Sequence, residues 1–353
     1  MVRLTRAQQQ ERTRAAVLLA AREEFAEHGY AGAKVDRIAE RAELTRGAVY
    51  SNFPGKRALY LAVLVDMTEH ADPPAKPPGA DPGDALGAFA RGWLERLPLT
   101  GDLPANAALR LRSLTGVLDE PARAALAQIT RLEALLLASA LEARLPPGSR
   151  RVRLAGLVLT LLYGAAQLAE TAPGFGDPFD VARACAHLAG ADLSDIWAPP
   201  HLPHVRAARR CRDAWIPPGG LTDAITRRPA DTAADGVVAV LGTRRLEAAE
   251  EAVRAVREGD RVTVAVVTSD PAETGRLVRL RIGDLLACLR RTFAPADWPR
   301  LQLVLDGSPL ASALDVAEPG DDTEDAVRVE GGAIVARARG RGAGHAVAAG
   351  VRR

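Results

Sequence analysis

The sequence predicts two kinds of structure in one chain: an entirely α-helical part over residues 1 to about 198, followed by a mixed α/β part. Three observations carry this. Up to about residue 190, apolar residues recur at three- and four-residue steps, the spacing that gathers them on one face of a helix, with no strand pattern between them. Pro199-Pro200 then marks a change of character. Beyond it, short Val- and Leu-rich runs, VVAVL at 237–241, VTVAVV at 262–267 and LQLVL at 301–305, alternate with helical patterns near 244–257 and 283–293.

At 353 residues the chain is longer than one typical core and implies two or three domains. Its 48% hydrophobic and 25% charged residues are those of a globular protein. The net charge of +2 rules out a general polycation, but residues 1–60 hold 11 Lys/Arg against 7 Asp/Glu, so the positive end is the amino-terminal one. Cys185, Cys211 and Cys288 are odd in number and lie in no metal-type spacing, which points to a reducing, cytoplasmic setting without structural disulfides. The first 30 residues have no continuous apolar core of the signal-peptide kind. LAGLVLTLLYGAAQLA at 154–169 is apolar, yet its 16 residues fall short of the ~20 that span a bilayer, so it reads as a buried or subunit-interface helix.

The elements follow in order. Residues 13–28 form a first helix with Val17, Leu18, Ala21 and Phe25 on one face and Gly29 turning the chain out of it. Residues 35–42 form a second, with Val35, Ile38, Ala39 and Ala42 inward. Thr45 caps a third over 46–52, with Ala48, Val49 and Phe53 inward, and a fourth runs from about Lys56 to His70. Prolines make 72–83 a loop, and further helical patterns cover about 84–97, 105–118, 120–145, 149–171 and 179–190. In the second half, LVRLRI at 277–282 fits a strand or part of a helix, and VRVEGGAIVARA predicts a hairpin turning at Gly331-Gly332.

Two short helices joined by a tight turn are the parts of a helix-turn-helix. Ala39 is small enough for a close crossing, and Leu44 fills the space beneath the turn. Gly47 and Ala48 remove bulk where the third helix approaches a duplex. Arg46, Tyr50, Ser51 and Asn52 supply donors for phosphates and base edges. Thr45 and Lys56 sit at helix starts, where free N–H groups favour phosphate, and Arg3 and Arg6 form a basic amino-terminal arm.

Residues 13–70 resemble the DNA-binding domain of the TetR family of transcriptional regulators, with Gly47, Tyr50, Phe53 and Lys56 matching the spacing of its recognition stretch. The resemblance is strong over the first 70 residues and one of layout alone over 71–198. Two positions depart from the pattern: Ala33-Lys34 replaces the Thr pair before the second helix, with the Lys34 charge in place of a hydroxyl contact, and Glu43 replaces the usual turn glycine. The resemblance implies a TetR-like fold, with a helix-turn-helix domain over 1–55 and a helical ligand-binding and dimerisation domain over 56–198. Residues 199–235 read as a linker, 236–338 as an α/β domain of unknown role and 339–353 as a flexible Gly/Arg-rich tail.

The same resemblance implies a homodimer on double-stranded operator DNA, released when a small molecule settles among the helices of the second domain. Leu157, Leu161 and Ala165 on one helix and Val181, Cys185 and Leu188 on the next are the interface candidates. Phe89, Trp93, Leu114, Leu135, Tyr163 and Gln167 are the pocket candidates. Nothing in this requires chemistry, a cofactor, a metal or a membrane.

Residues 201–353 have no counterpart in the resemblance and leave three readings open: a sensor, a partner-binding module or an enzyme. Polar residues at three strand ends, Gly242-Thr243, Thr268-Ser269-Asp270 and Asp306-Gly307-Ser308, are where a catalytic site would gather, and are also ordinary turn residues. No GxGxxG or Walker spacing occurs. His201, His204 and Cys211 read as linker residues rather than metal ligands.

Overall fold

The computed structural model describes residues 5–69, 81–97, 106–146, 148–195, 199, 201–293 and 301–349. Helix α1 spans Arg6–Gly32 and starts earlier than its apolar pattern, because Thr5 and Gln8 form a reciprocal capping box. Gly29, at φ 63°, breaks its last turn where the sequence placed the exit. Helices α2 (Val35–Arg41), α3 (Arg46–Asn52) and α4 (Lys56–Glu69) follow. Most of the proline-rich 72–83 loop lies outside the described residues.

Helix α5 (Pro82–Leu94) is capped by Asp81. The helix expected over 105–118 shrinks to α6 (Ala107–Arg110), since Arg112 at φ 53° and Gly116 at φ 69° both take left-handed conformations that end it. Helices α7 (Glu120–Glu142), α8 (Val152–Thr171) and α9 (Pro178–Leu188) complete the helical part, Asp119 capping α7 and Asp177 capping α9. By length and composition α7 and α8 each suffice to cross a membrane. In this fold α7 is largely buried, whereas α8 buries one face and leaves the other exposed.

The second half builds a six-stranded sheet in the order β1-β6-β5-β2-β3-β4. Strands β2 (Gly236–Gly242), β3 (Arg261–Val267) and β4 (Leu301–Val304) are parallel, joined by α10 (Ala248–Ala255) and α11 (Thr274–Thr292). After α12 (Ser308–Ala313), β5 (Glu324–Glu330) and β6 (Ala333–Arg339) form the expected hairpin, with Gly331 and Gly332 at φ 56° and 75° supplying its turn. LVRLRI belongs to α11 and is helical.

Two expectations are corrected. Residues 199–235 are more than a linker: β1 (Arg209–Ala214) pairs antiparallel with β6, and Trp215 is buried, its indole N–H donating to Thr232 O at 2.8 Å. Nor is 339–353 simply a tail, because α13 (Ala343–Ala348) buries Ala343, Val347 and Ala348; only 350–353 fall outside the described residues. Gly344 of α13 lies close against Ala252 of α10, an arrangement invisible in a Gly/Arg-rich composition.

Alternate residues of the strands enter two cores. Val238, Val240, Ala265, Val267 and Val327 face α12 and Trp215. Val237, Ala239, Leu241, Val264 and Leu303 face the other way and join the same apolar cluster as α1 to α9. Helix α11 explains the continuity. It is buried around much of its circumference, from Leu277 and Leu280 to Leu285, Cys288 and Leu289, and lies against α4, α5 and α7. The two halves thus share one interior, with α11 as the common wall.

Candidate nucleic-acid interface

The helix-turn-helix assembles as its small residues require. Ala39 is buried at the crossing, Leu44 N donates to Ala39 O at 2.9 Å, and Leu44 packs under the turn. Glu43 sits at φ 54°, so the turn does demand the left-handed conformation that a glycine adopts freely. The Thr45 hydroxyl accepts from Ala48 N at 3.2 Å and caps α3. Val49 and Phe53 are buried and anchor α3 to the core.

Thr45, Arg46, Gly47, Tyr50 and Ser51 are exposed on the outer side of α3, while Ala48 and Asn52 are half-buried. Arg46 lies 3.3 Å from Asp36 of α2 and stacks over the Tyr50 ring at 5.5 Å, which stiffens both side chains at the helix surface. Ser51 Oγ and Asn52 Nδ2 donate back to Ala48 O, each at 2.9 Å, so both side chains are engaged by their own helix. Lys56 Nζ donates to Ala31 O at 3.2 Å and lies over the Tyr30 ring. Burial pulls its pKa down.

Lys34 is exposed at the start of α2, and the missing hydroxyl cap has a substitute that the sequence did not reveal. Glu24 of α1 is fully buried and its Oε1 accepts from Lys34 N at 3.0 Å, placing a carboxylate at the α2 amino terminus. Arg37 and Arg41 each lie 3.5 Å from Glu24. Glu24, Glu27 and His28 have ligand-type atoms within 4.8 Å of one another, but these two guanidiniums already supply the counter-charge.

The second half reaches this unit directly, which no sequence signal indicated. Arg276 of α11 lies over the Phe53 ring at 5.3 Å, as Arg14 does at 5.1 Å, and donates to Ala58 O at 3.0 Å. Arg57, at the start of α4, bridges Asp119, at 2.6 Å, and Glu273.

The other expected residues divide. Leu157, Leu161, Ala165 and Val181 line one apolar depression of about 550 Å³ on the outer face of α8 and α9, beside the exposed Phe175. Cys185 is buried in the interior of the chain, where burial pushes its thiol up to about 11, and Leu188 is half-buried outside that depression. Leu114, Tyr163 and Gln167 line a cavity of about 350 Å³ between α7, α8 and α11. Phe89 and Trp93 are core, Trp93 meeting Tyr163 edge-on at 5.1 Å, and Leu135 borders a different cavity.

Two of the three strand ends converge, on Asp321, while Asp306 of the third lines a separate cavity. Thr243, Thr268 and Ser269 hydroxyls donate to Asp321 at 2.7, 2.6 and 2.7 Å. Burial would raise this carboxyl, yet those donors hold it below its ordinary value. Asp270 accepts from Glu273 N and Thr274 N and caps α11. His201 lies 2.9 Å from Glu251, His204 is exposed, and Cys211 donates to Ile334 O at 3.4 Å, so the three do not meet.

Comparison with known proteins agrees with this geometry. Residues 17–63 match the model of the bacterial regulatory proteins, tetR family. The chain is 37% identical over 87 residues to the transcriptional repressor SCO4008 of Streptomyces coelicolor, covering 25% of this chain and 41% of that protein. It is 45% identical over 51 residues to the transcriptional activator FasR of Mycolicibacterium smegmatis, covering 14% and 23%. The chain thus spans about two fifths or less of each of these relatives. Among solved structures, a TetR regulator from Rhodococcus sp. RHA1 aligns over 54% of this chain and 99% of its own, at 21% identity and a TM-score of 0.32. With the capped helix α3, its turn and the matched segment in agreement, residues 17–63 form a DNA-binding segment of the kind found in the bacterial regulatory proteins of the tetR family.

Proposed function

We propose that the chain is a DNA-binding transcriptional regulator that acts as a homodimer and is released from its operator by a small molecule. The observation that carries the reading is α3, anchored inward by Val49 and Phe53 and presenting Thr45, Arg46, Gly47, Tyr50 and Ser51 outward at the most basic end of the chain. One such helix reads too few base pairs for specificity, so two copies on half-sites ~34 Å apart, or a multiple of it, are needed. The apolar outer face of α8 and α9 is the surface that supports pairing.

The cavity lined by Leu114, Tyr163 and Gln167 is also lined by Leu280, Arg281 and Asp284 of α11. Arg276 of the same helix lies over Phe53 at the end of α3. An effector that displaces α11 would therefore move the support of the recognition helix, and this favours a sensing role for the second half over a catalytic one. Converting a 99:1 preference into 1:99 takes ~5.5 kcal/mol of differential ligand affinity.

Selection of genomic DNA fragments by the purified chain tests the reading. Bound fragments should share a two-fold site, binding should weaken steeply with salt, and sedimentation should give a dimer that Leu157→Asp dissociates. A monomer that retains no fragment at low salt would overturn it.

A further inference from the structure

A second cavity, about 470 Å³, lies at the carboxyl end of β4, closed by Val65 and Thr68 of α4 and by α11. Ligands of open parallel sheets sit beyond the carboxyl ends of the strands, and this is such a position. Its charged lining is unbalanced. Arg227, Arg279 and Arg290 face it with one carboxylate, the exposed Asp306.

The side chains of Arg227 and Arg279 have no hydrogen-bond or ion-pair partner among the described residues. Arg290 donates only to backbone carbonyls, Ala224 O at 3.0 Å and Ile225 O at 3.2 Å. Asp223, close enough to interact with Arg290, is already engaged: it accepts from Ile225 N, Thr226 and Leu303 N. Burial, reinforced by Arg227, pushes Arg290 down to about 10, the response of a cation without a full counter-charge. Guanidiniums with free forked donors match phosphate and carboxylate oxygens two at a time. The rest of the lining is mostly apolar, with Val65, Leu221 and Leu286, and carries the hydroxyls of Thr68 and Thr222.

We propose that this cavity binds a small organic anion, a phosphate monoester or carboxylate with an apolar body, its head held by Arg227, Arg279 and Arg290 and its body against α4. The site lies apart from the effector cavity beside Tyr163, and anion binding there is measurable whether or not the chain binds DNA.

Isothermal titration of the full-length chain with phenyl phosphate, benzoate and the uncharged phenol tests it. At least one anion should bind, with phenol at least tenfold weaker. Arg227→Gln with Arg279→Gln, both exposed and without partners among the described residues, should weaken the anion at least tenfold at an unchanged thermal midpoint. Arg290→Gln, checked for folding by circular dichroism, should do the same. Absence of binding by both anions, equal binding of phenol, or wild-type affinity in the Arg227/Arg279 variant would each overturn the assignment.

Discussion

Arg281 of α11 and Glu133 of α7, 148 residues apart in the chain, form a two-pronged ion pair at 2.7 and 3.0 Å inside the protein. Glu133 is fully buried, and the Tyr163 hydroxyl donates to the same carboxylate at 2.9 Å. The pair joins the half that carries the sheet to the half that carries the recognition helix.

Arg281→Met should destabilise the whole chain by about 3–5 kcal/mol, because it leaves a desolvated carboxylate unpaired. Adding Glu133→Leu should recover most of the loss. Urea unfolding followed by far-ultraviolet circular dichroism checks both; a small effect of the single change would mean that Glu133 finds solvent or another partner.

A chain ending near residue 198 removes α11 and uncovers the apolar faces of α4, α5 and α7. It also leaves Glu133 without Arg281 and Arg57 without Glu273. Such a chain should lose its near-ultraviolet circular dichroism and aggregate, where the full chain unfolds in one transition. A truncated protein with a sharp cooperative transition of its own would show that the halves do not depend on a common core.

Glu43→Gly should stabilise the chain by about 1 kcal/mol, by relieving the left-handed backbone at φ 54°. Glu43 is exposed on the turn between α2 and α3, so if that turn faces DNA as proposed, the same change should also tighten DNA binding as a negative charge is removed. Thermal unfolding and gel-shift titration read the two effects separately.

Burial, with Glu324 nearby, pushes Glu251 up to about 7 from its ordinary 4.5. His201, 2.9 Å away, has its own pKa pulled down by burial and does not neutralise it. The folded chain therefore holds a proton between about pH 4.5 and 7 that the unfolded chain releases, so this group's contribution falls as pH rises through that window. Glu251→Gln should be more stable relative to wild type at pH 8 than at pH 5. Urea titrations at the two pH values check the sign.

The local elements were legible because their causes are local. Thr45 as a cap, α3 over Arg46–Asn52 and the Gly331-Gly332 turn each depend on residues within a few positions of one another. The failures have a common origin. LVRLRI was ambiguous since Arg281 sits in an apolar stripe, which makes sense only once Glu133 lies opposite it. β1 was hidden in RRCRDA, an edge strand with almost no apolar content that is held by backbone pairing to β6. Cys185 looked like an interface residue because helical spacing cannot say which neighbour covers a face.

The order of residues alone determined the helix-turn-helix, the all-helical first half and the three Val- and Leu-rich strands, since backbone geometry and side-chain periodicity operate over a few residues. Only the tertiary structure decided that α11 belongs to both halves, that Glu24 caps α2, and that three arginines face one cavity with a single exposed carboxylate. Those arrangements depend on charge and apolar surface brought together across more than a hundred residues, or across two packed elements, and a linear pattern holds no record of that distance.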